Sequence, residues 1–435
     1  MKTDIGTLSR LNISCNGIIS FAVIALIILM ATGRATGIYI EHDDWDFLVS
    51  PEYSLFASPW SKTLSEGRWI NFIWSQFSIN LSTCNSFYIF IIGYALFCWF
   101  FSCNLSNSPC KRIVFAVTAF ICPVYSSFST WPTTSAPSVW IAALSMFFCC
   151  ILKDRFWILS FITAYLLSLS YPPLGLVCVA IIAYRSNSFR NSIATCMAYF
   201  IGFLAGILSI YIANKVFHGV FGLVPEAWRN FHPIKNISDI PENFLRAIHS
   251  FIYFVTVSYM EIIISAVALL SIYIRERKIA LVLVISIAFV FLLDFSLLFY
   301  SGIDVSARIF IWPWHVMLLC IAISSRYFYL KNISIIYCAA LIFCFITGLK
   351  TWATEGAYYS RLAEYMNAVD RSINSQNTNE IYLCGSPKFV DVRTIQMMIR
   401  KNNNMDTIRG SMEECEKIKD YGVSFSSGKT YYKFM

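Results

Sequence analysis

Charged residues are scarce in this chain: they make up 13% of its 435 residues, while 57% are hydrophobic. A soluble globular domain is about one quarter charged, so this composition excludes an ordinary soluble protein. The sequence also lacks a CxxC pair, which argues against a structural zinc site. It has no glycine-rich loop of the kind that binds phosphate. It has no basic helix and no basic patch interleaved with aromatic residues, so the net charge of +8 does not indicate nucleic-acid binding.

Long apolar segments dominate instead, and such runs are typical of transmembrane helices. The sequence therefore predicts a polytopic α-helical membrane protein with about eleven transmembrane helices. The first segment is read as a retained helix rather than a signal peptide, because it is long and further spans follow it. The predicted spans are 13–32, 84–102, 113–128, 136–152, 156–171, 173–184, 192–213, 249–272, 279–300, 309–325 and 333–350.

The loops between these segments predict an orientation. One alternate set is short and rich in Lys and Arg, which indicates the cytoplasmic side. The N-terminus is then cytoplasmic, and the loops 33–83 and 214–248 and the tail from 351 lie outside. Residues 1–350 form the predicted transmembrane domain, and residues 351–435 form a small external α/β domain.

Two stretches of the external parts have recognisable patterns. Residues 60–80 alternate aromatic and polar residues at helical spacing, which predicts an amphipathic helix lying in the membrane interface. The tail predicts a helix near 358–373, a strand at 380–384, another helix near 392–401 and a short β-rich end.

The 15 cysteines are mostly explained by hydrophobic packing, because all but two lie in or beside apolar segments. Cys384 and Cys415 are the exceptions, and both belong to the tail. An external compartment is oxidising, so we expect these two thiols to form a disulfide. The alternative is two unrelated buried thiols.

The densest cluster of ionisable residues follows the first span, where Glu41, His42, Asp43, Asp44 and Asp46 fall within six positions. Adjacent carboxylates raise each other's pKa, so one can act as a base while the other stabilises charge. Asp43 and Asp44 are the candidate bases, and His42 is an alternative base. Glu41 and Asp46 are candidate positioning groups, and Asp46 is also a candidate substrate-binding residue. A divalent cation on these carboxylates is a further alternative, as is a solvated acidic loop without chemistry.

Three other places supply candidate substrate-binding residues. Arg308 lies at the outer end of a predicted span, where it either binds a phosphate or pairs with Asp304. In the loop 214–248, aromatic residues accompany polar ones in a pattern that suits sugar binding or an ordinary interfacial loop. The candidate residues there are Arg229, His232 and Lys235. Arg68 lies on the polar side of the 60–80 segment.

The sequence Glu41-His42-Asp43-Asp44-Trp45 after the first span, together with the Arg-bearing helix near Arg68, resembles the GT-C class of membrane glycosyltransferases. Within that class the chain is most similar to the serotype-converting O-antigen glucosyltransferases of temperate bacteriophages and prophages. The resemblance implies a GT-C-like membrane domain in the bacterial inner membrane. It implies transfer of glucose from undecaprenyl-phosphate-glucose to lipopolysaccharide O-antigen sugars on the periplasmic side.

Two other functions remain alternatives. An O-antigen polymerase or ligase would share the location and the lipid-linked substrate. A transporter of polyprenyl lipids would require polar residues through the membrane midplane and inverted repeats, and neither is evident in the sequence.

Overall fold

The computed structural model describes residues 15–51, 54, 58–226, 230–303, 309–327, 331–374, 380–387, 390–403, 406–418, 420–426 and 429–434. Most of these residues are helical. The helices are α1 (Cys15–Ala31), α2 (His42–Trp45), α3 (Pro59–Glu66), α4 (Trp69–Ser78), α5 (Thr83–Leu105), α6 (Pro109–Phe120), α7 (Pro123–Phe128), α8 (Pro132–Ile151), α9 (Phe156–Ser168), α10 (Pro173–Arg185), α11 (Phe189–His218), α12 (Ile240–Arg275), α13 (Arg277–Ser301), α14 (Trp312–Tyr327), α15 (Lys331–Asn374), α16 (Val392–Asn403) and α17 (Met412–Lys417). A 3₁₀ turn, Ile237–Asp239, precedes α12.

The helical membrane class is confirmed in outline, but the count of eleven spans is wrong. Among the described residues, six helices are long and apolar enough to cross a membrane: α5, α8, α11, α12, α13 and α15. Every other predicted span also contains helix, but in shorter pieces such as α9 and α10, with 13 residues each. Thirteen residues extend about 20 Å, whereas the hydrocarbon layer is about 30 Å thick.

Proline explains where several of these short helices begin. Pro123, Pro132 and Pro173 each occupy the first turn of a helix, where the missing N–H costs nothing. The predicted span 113–128 is therefore two helices, α6 and α7. A sliding hydrophobicity window joins them because both are apolar.

The predicted interfacial helix 60–80 is also two helices. Gly67 ends α3 in the left-handed conformation, with φ of 73°, which glycine adopts at little cost. In α4 the polar residues Asn71, Ser75 and Ser78 are buried, while Ile73 and Phe77 are exposed. This outward apolar face agrees with a helix lying against lipid.

The tail contains a four-stranded sheet of β1 (Glu380–Cys384), β2 (Asp406–Arg409), β3 (Gly422–Ser426) and β4 (Lys429–Lys433). Its order is β2-β1-β4-β3, with β1 parallel to both neighbours and β3 antiparallel to β4. The predicted strand 380–384 and the helix near 392–401 are confirmed. The predicted helix 358–373 is not separate, because α15 continues without interruption from the apolar region to Asn374.

A disulfide joins Cys384 to Cys415, with the Cα atoms 5.3 Å apart, so that prediction is confirmed. Gly410 packs against the bridge: a Cβ at this position would lie 2.7 Å from the sulfur of Cys415. The sheet is not isolated from the rest of the molecule. Its core includes Trp45 and Leu48, which belong to the acidic segment after α1.

Candidate active site

The acidic segment is held in place by its apolar residues. Trp45 and Phe47 are buried, and the indole N–H of Trp45 donates to the carbonyl of Ile40 at 3.0 Å. The backbone N–H of Glu41 donates to the carbonyl of Thr130 at 2.9 Å. The segment is therefore a fixed part of the fold, packed between the helices and the sheet.

Asp44 is fully buried and caps another helix. Its carboxylate accepts the backbone N–H groups of Thr133 at 2.7 Å and Thr134 at 2.6 Å, and the hydroxyl of Thr134 at 2.7 Å. Thr133 and Thr134 lie in the first turn of α8, where the backbone N–H groups have no acceptor within the helix. The carboxylate of Asp44 supplies these acceptors, and its negative charge is favourable at a helix N-terminus. Burial raises the pKa of the Asp44 carboxyl, while the hydrogen bonds from Thr134 and Thr133 act in the opposite direction. This geometry favours a structural role for Asp44 over that of a base.

His42 lies between two carboxylates. Its Nε2 is 2.5 Å from Oδ1 of Asp43, and its Nδ1 is 3.7 Å from Oε2 of Glu41. Hydrogen bonding to Asp43, and next to Glu41, raises the pKa of His42 to about 10. The imidazole is therefore protonated near neutral pH. This argues against the alternative in which His42 is the base.

Glu41 and Asp46 are tied into the segment by neighbouring hydroxyl groups. The hydroxyl of Tyr39 donates to Oε2 of Glu41 at 3.0 Å. The hydroxyl of Ser54 donates to Oδ1 of Asp46 at 2.7 Å, and Asp46 is buried. Both contacts suit groups that position the segment. Direct contact of Asp46 with substrate stays a prediction.

Asp43 lines a small cavity with three other charged residues, Lys62, Glu66 and Arg68. Nε of Arg68 is 2.5 Å from Oε2 of Glu66, and Nζ of Lys62 donates to the carbonyl of Asp43 at 3.2 Å. Two acidic and two basic residues thus line one cavity, and Lys62 contacts Asp43 through its backbone carbonyl. Such a set can accept a proton from a substrate and can stabilise a nearby anion.

The cavity has a volume of about 30 Å³, which is room for a water molecule or one hydroxyl group. Aromatic rings form part of its wall: Phe128, Trp131 and Tyr171. Rings of this kind suit the apolar faces of sugars, and the guanidinium of Arg68 lies 6.0 Å from the ring centre of Tyr171. The cavity can therefore hold one water molecule or one hydroxyl group beside charged and aromatic side chains.

Lys62 and Glu66 are charged residues of the site that are not among the candidates predicted from the sequence. Lys62 is the more deeply placed of the two. It is 2% exposed, and its ammonium lies 5.2 Å from the ring centre of Phe47. A signal was present, because Lys62 and Glu66 are four residues apart and hence on one face of α3. The alternation of aromatic and polar residues in 60–80 indicates an interfacial helix and does not by itself distinguish this pair as part of a site.

A second buried cation, Arg34, holds in place the residues between α1 and the acidic segment. Arg34 is 2% exposed and donates to the carbonyl of Ser126 at 2.9 Å and to the hydroxyl of Ser129. Its guanidinium lies 4.6 Å from the ring centre of Tyr359 on α15. Burial lowers the pKa of Arg34 to about 10, so it stays charged near neutral pH. Arg34 thereby connects the chain after α1 to α7 and α15.

The remaining predicted residues lie elsewhere or outside the described part. The exposed residues His232 and Lys235 precede α12, and the N–H of His232 donates to the carbonyl of Ser301 at 3.0 Å. This contact brings the loop beside the end of α13. Arg229, Asp304 and Arg308 lie outside the described residues, so their roles stay predictions.

Comparison with family models, curated proteins and solved structures returned no match for this chain. The functional argument therefore rests on the geometry of the site. Within the part of the chain that the structure describes, no three His, Cys, Asp or Glu side chains are grouped as metal ligands. The divalent cation stays an alternative for experiment.

Proposed function

We propose that this protein is a glycosyltransferase that uses a polyprenyl-phosphate sugar as donor. The observation that carries the proposal is the small cavity where Asp43 and Glu66 meet Lys62 and Arg68 beside aromatic rings. One of the carboxylates can take a proton from a sugar hydroxyl, while the two cations balance the charge of a departing phosphate. The six membrane-crossing helices supply the bilayer contact that a lipid-linked donor requires.

In the proposed reaction, the hydroxyl oxygen of the acceptor attacks the anomeric carbon of the donor. Asp43 accepts the hydroxyl proton, the new glycosidic bond forms, and the bond from the anomeric carbon to the phosphate oxygen breaks. The electron pair of that bond stays on polyprenyl phosphate, whose negative charge Lys62 and Arg68 stabilise. Arg308 is a further candidate phosphate ligand, as the sequence predicts.

Two further cavities support the proposal of a lipid-linked donor. Two adjoining apolar cavities, of about 450 and 250 Å³, are lined by aromatic residues of α12 and α14, and Glu261 and Pro313 line both. The second cavity reaches Cys122 and Pro123 at the start of α7, and Phe128 at the end of α7 lines the charged cavity. Six helical residues extend only about 9 Å. A polyprenyl chain in these cavities would hold its phosphate close to the charged groups.

In its specific form, the proposal is transfer of glucose from undecaprenyl-phosphate-glucose to O-antigen sugars. The reaction would take place on the periplasmic side of the bacterial inner membrane, with the N-terminus in the cytoplasm and the C-terminus in the periplasm. This form rests on the resemblance carried by residues 41–45 and on the basic short loops. The disulfide of the tail is in keeping with an oxidising compartment.

The test is a transfer assay with the purified full chain in detergent or vesicles. Undecaprenyl phosphate carrying radiolabelled glucose is supplied with O-antigen polysaccharide, with and without a chelator. We expect the label to appear in the polysaccharide, and loss of transfer with chelator would favour the divalent-cation alternative. Folded protein that leaves all label on the lipid would contradict the proposal. Chain lengthening, or joining of polysaccharide to lipid A core without glucose transfer, would favour a polymerase or ligase.

A further inference from the structure

A separate cavity lies at the opposite end of the helices, where α10 meets α11 and α12 meets α13. Its volume is about 640 Å³, within the range of ordinary small-molecule sites. One wall comes from the turn between α10 and α11, which includes Tyr184, Asn187 and Phe189. The facing wall comes from Glu276 and the start of α13, which includes Lys278 and Leu281.

The surroundings of this cavity are strongly basic. Lys278 lines it, and Arg190, Arg275 and Arg277 lie in the same two turns. All four cations are exposed, whereas Glu276 is the one carboxylate among the lining residues described. Arg326 of α14 donates to the hydroxyl of Tyr184 at 2.9 Å, which adds another cation behind the wall. The balance of charge therefore favours an anionic ligand.

Part of the lining is apolar, with Ile279 and Val282 buried and Leu281 and Phe189 exposed. Both α11 and α13 are among the helices able to cross a membrane, so the cavity lies between two lipid-contacting elements. A cavity that is basic at the helix ends and apolar along the helices has the polarity of a phospholipid. An inorganic anion would contact only the polar part of the cavity.

We propose that this cavity binds the headgroup and upper acyl chains of an anionic phospholipid. Lys278 contacts the phosphate, Arg190 and Arg277 stand at the rim, and Leu281 and Val282 contact the acyl chains. Basic pockets between membrane helices on the cytoplasmic side recognise anionic headgroups in this way. The inference is independent of the sugar-transfer reaction, because this cavity shares no lining residue with the charged cavity or with the two cavities proposed for the donor lipid.

Native mass spectrometry and thermal unfolding of the full chain in detergent test this proposal. The protein is titrated with phosphatidylglycerol, with phosphatidylcholine of the same acyl chains, and with inorganic phosphate. We expect one tightly retained phosphatidylglycerol, which raises the unfolding midpoint, and retention of phosphatidylcholine weaker by about tenfold or more. Equal retention of the two lipids, or an equal rise of the midpoint with inorganic phosphate, would overturn the proposal.

Two variants locate the lipid. Lys278→Glu reverses the charge in the cavity and should weaken phosphatidylglycerol retention by about tenfold or more. Leu281→Trp narrows the apolar part and should weaken retention without altering the charge. Lys111→Glu is the matched control, because Lys111 is exposed and lies in α6, which does not line the cavity. Normal retention by both cavity variants, or an equal loss in the control, would contradict a specific site.

Discussion

The two ends of the helical bundle carry their charges in different environments. Around the acidic segment, Arg34, Asp44, Asp46 and Lys62 are all buried. At the opposite end, Arg112 and Arg185 are also buried, but the four cations around the large cavity are exposed, namely Arg190, Arg275, Arg277 and Lys278. Burying a charge costs several kcal/mol unless hydrogen bonds and opposite charges compensate it. The buried charges are therefore fixed in position, whereas the four exposed cations at the second end lie at the surface.

This difference indicates which charged residues tolerate substitution. Asp44 has three hydrogen bonds from the first turn of α8, so the fold depends on it. An exposed residue such as Asp154, in the turn before α9, has no comparable burial. Substitutions at the two ends should therefore have effects of very different size.

The largest loss of stability is expected for Asp44→Ala. It leaves two backbone N–H groups of α8 without their acceptor, and each such buried donor costs about 1–3 kcal/mol. The unfolding free energy should fall by about 2–6 kcal/mol, measured by denaturant or thermal unfolding in detergent. Asp154→Ala is the control, with an expected change within about 0.5 kcal/mol. Equal effects of the two substitutions would remove the distinction between the two ends.

The disulfide of the tail comes next. Cys384 and Cys415 are 31 positions apart, and closing a loop of this length stabilises a domain by about 3–4 kcal/mol in the chain-entropy model. The double variant Cys384→Ser, Cys415→Ser should lose up to this amount, while Cys84→Ser, at an exposed free cysteine, should lose little. Because the sheet shares its core with Trp45, the loss should also loosen the acidic segment.

Thiol alkylation of membranes without reductant checks the bridge itself. Cys384 and Cys415 should stay unlabelled, and exposed Cys84 should react. Full labelling of both tail cysteines in the folded protein would contradict the disulfide.

The sequence predicted features that depend on nearby residues. The strand 380–384 follows from local β-forming residues, and the bridge follows from two cysteines in one polar tail. It did not predict the partner of Asp44, because Thr133 and Thr134 are 89 and 90 positions away. No local pattern shows which helix end will lie beside a given carboxylate.

The span count failed for a related reason. Hydrophobicity reports that a segment is apolar, but it does not report whether a proline starts a new helix at Pro123 or Pro132. The prediction of a separate helix in the tail was wrong for the opposite reason. The composition changes near residue 351, yet no residue there ends α15, so the helix continues through the change.

A smaller effect is expected from the pH dependence of His42. Its pKa in the folded protein is about 10, raised from 6.5, so the ion pairs with Asp43 and Glu41 stabilise the fold fully below pH 6.5. This contribution is lost as the pH rises through 10. The difference in unfolding midpoint between the natural protein and His42→Gln should be largest near pH 6 and should shrink toward pH 10. A difference that grows with pH would contradict the assignment of a protonated imidazole.

The central claim is that the adjacent residues Asp43 and Asp44 have different roles, Asp43 in proton transfer and Asp44 in the fold. The direct measurement is the rate of glucose transfer per folded molecule, together with the unfolding midpoint, for Asp43→Asn and Asp44→Asn. The account predicts that Asp43→Asn lowers the rate by roughly 10²–10⁴, the scale of a lost general base. Its midpoint should fall less than that of Asp44→Asn, because the contact with His42 that Asp43→Asn weakens is partly exposed. Asp44→Asn should lower the midpoint and keep a rate within about tenfold of the natural protein. An Asp43→Asn protein that transfers glucose at the natural rate would contradict the account.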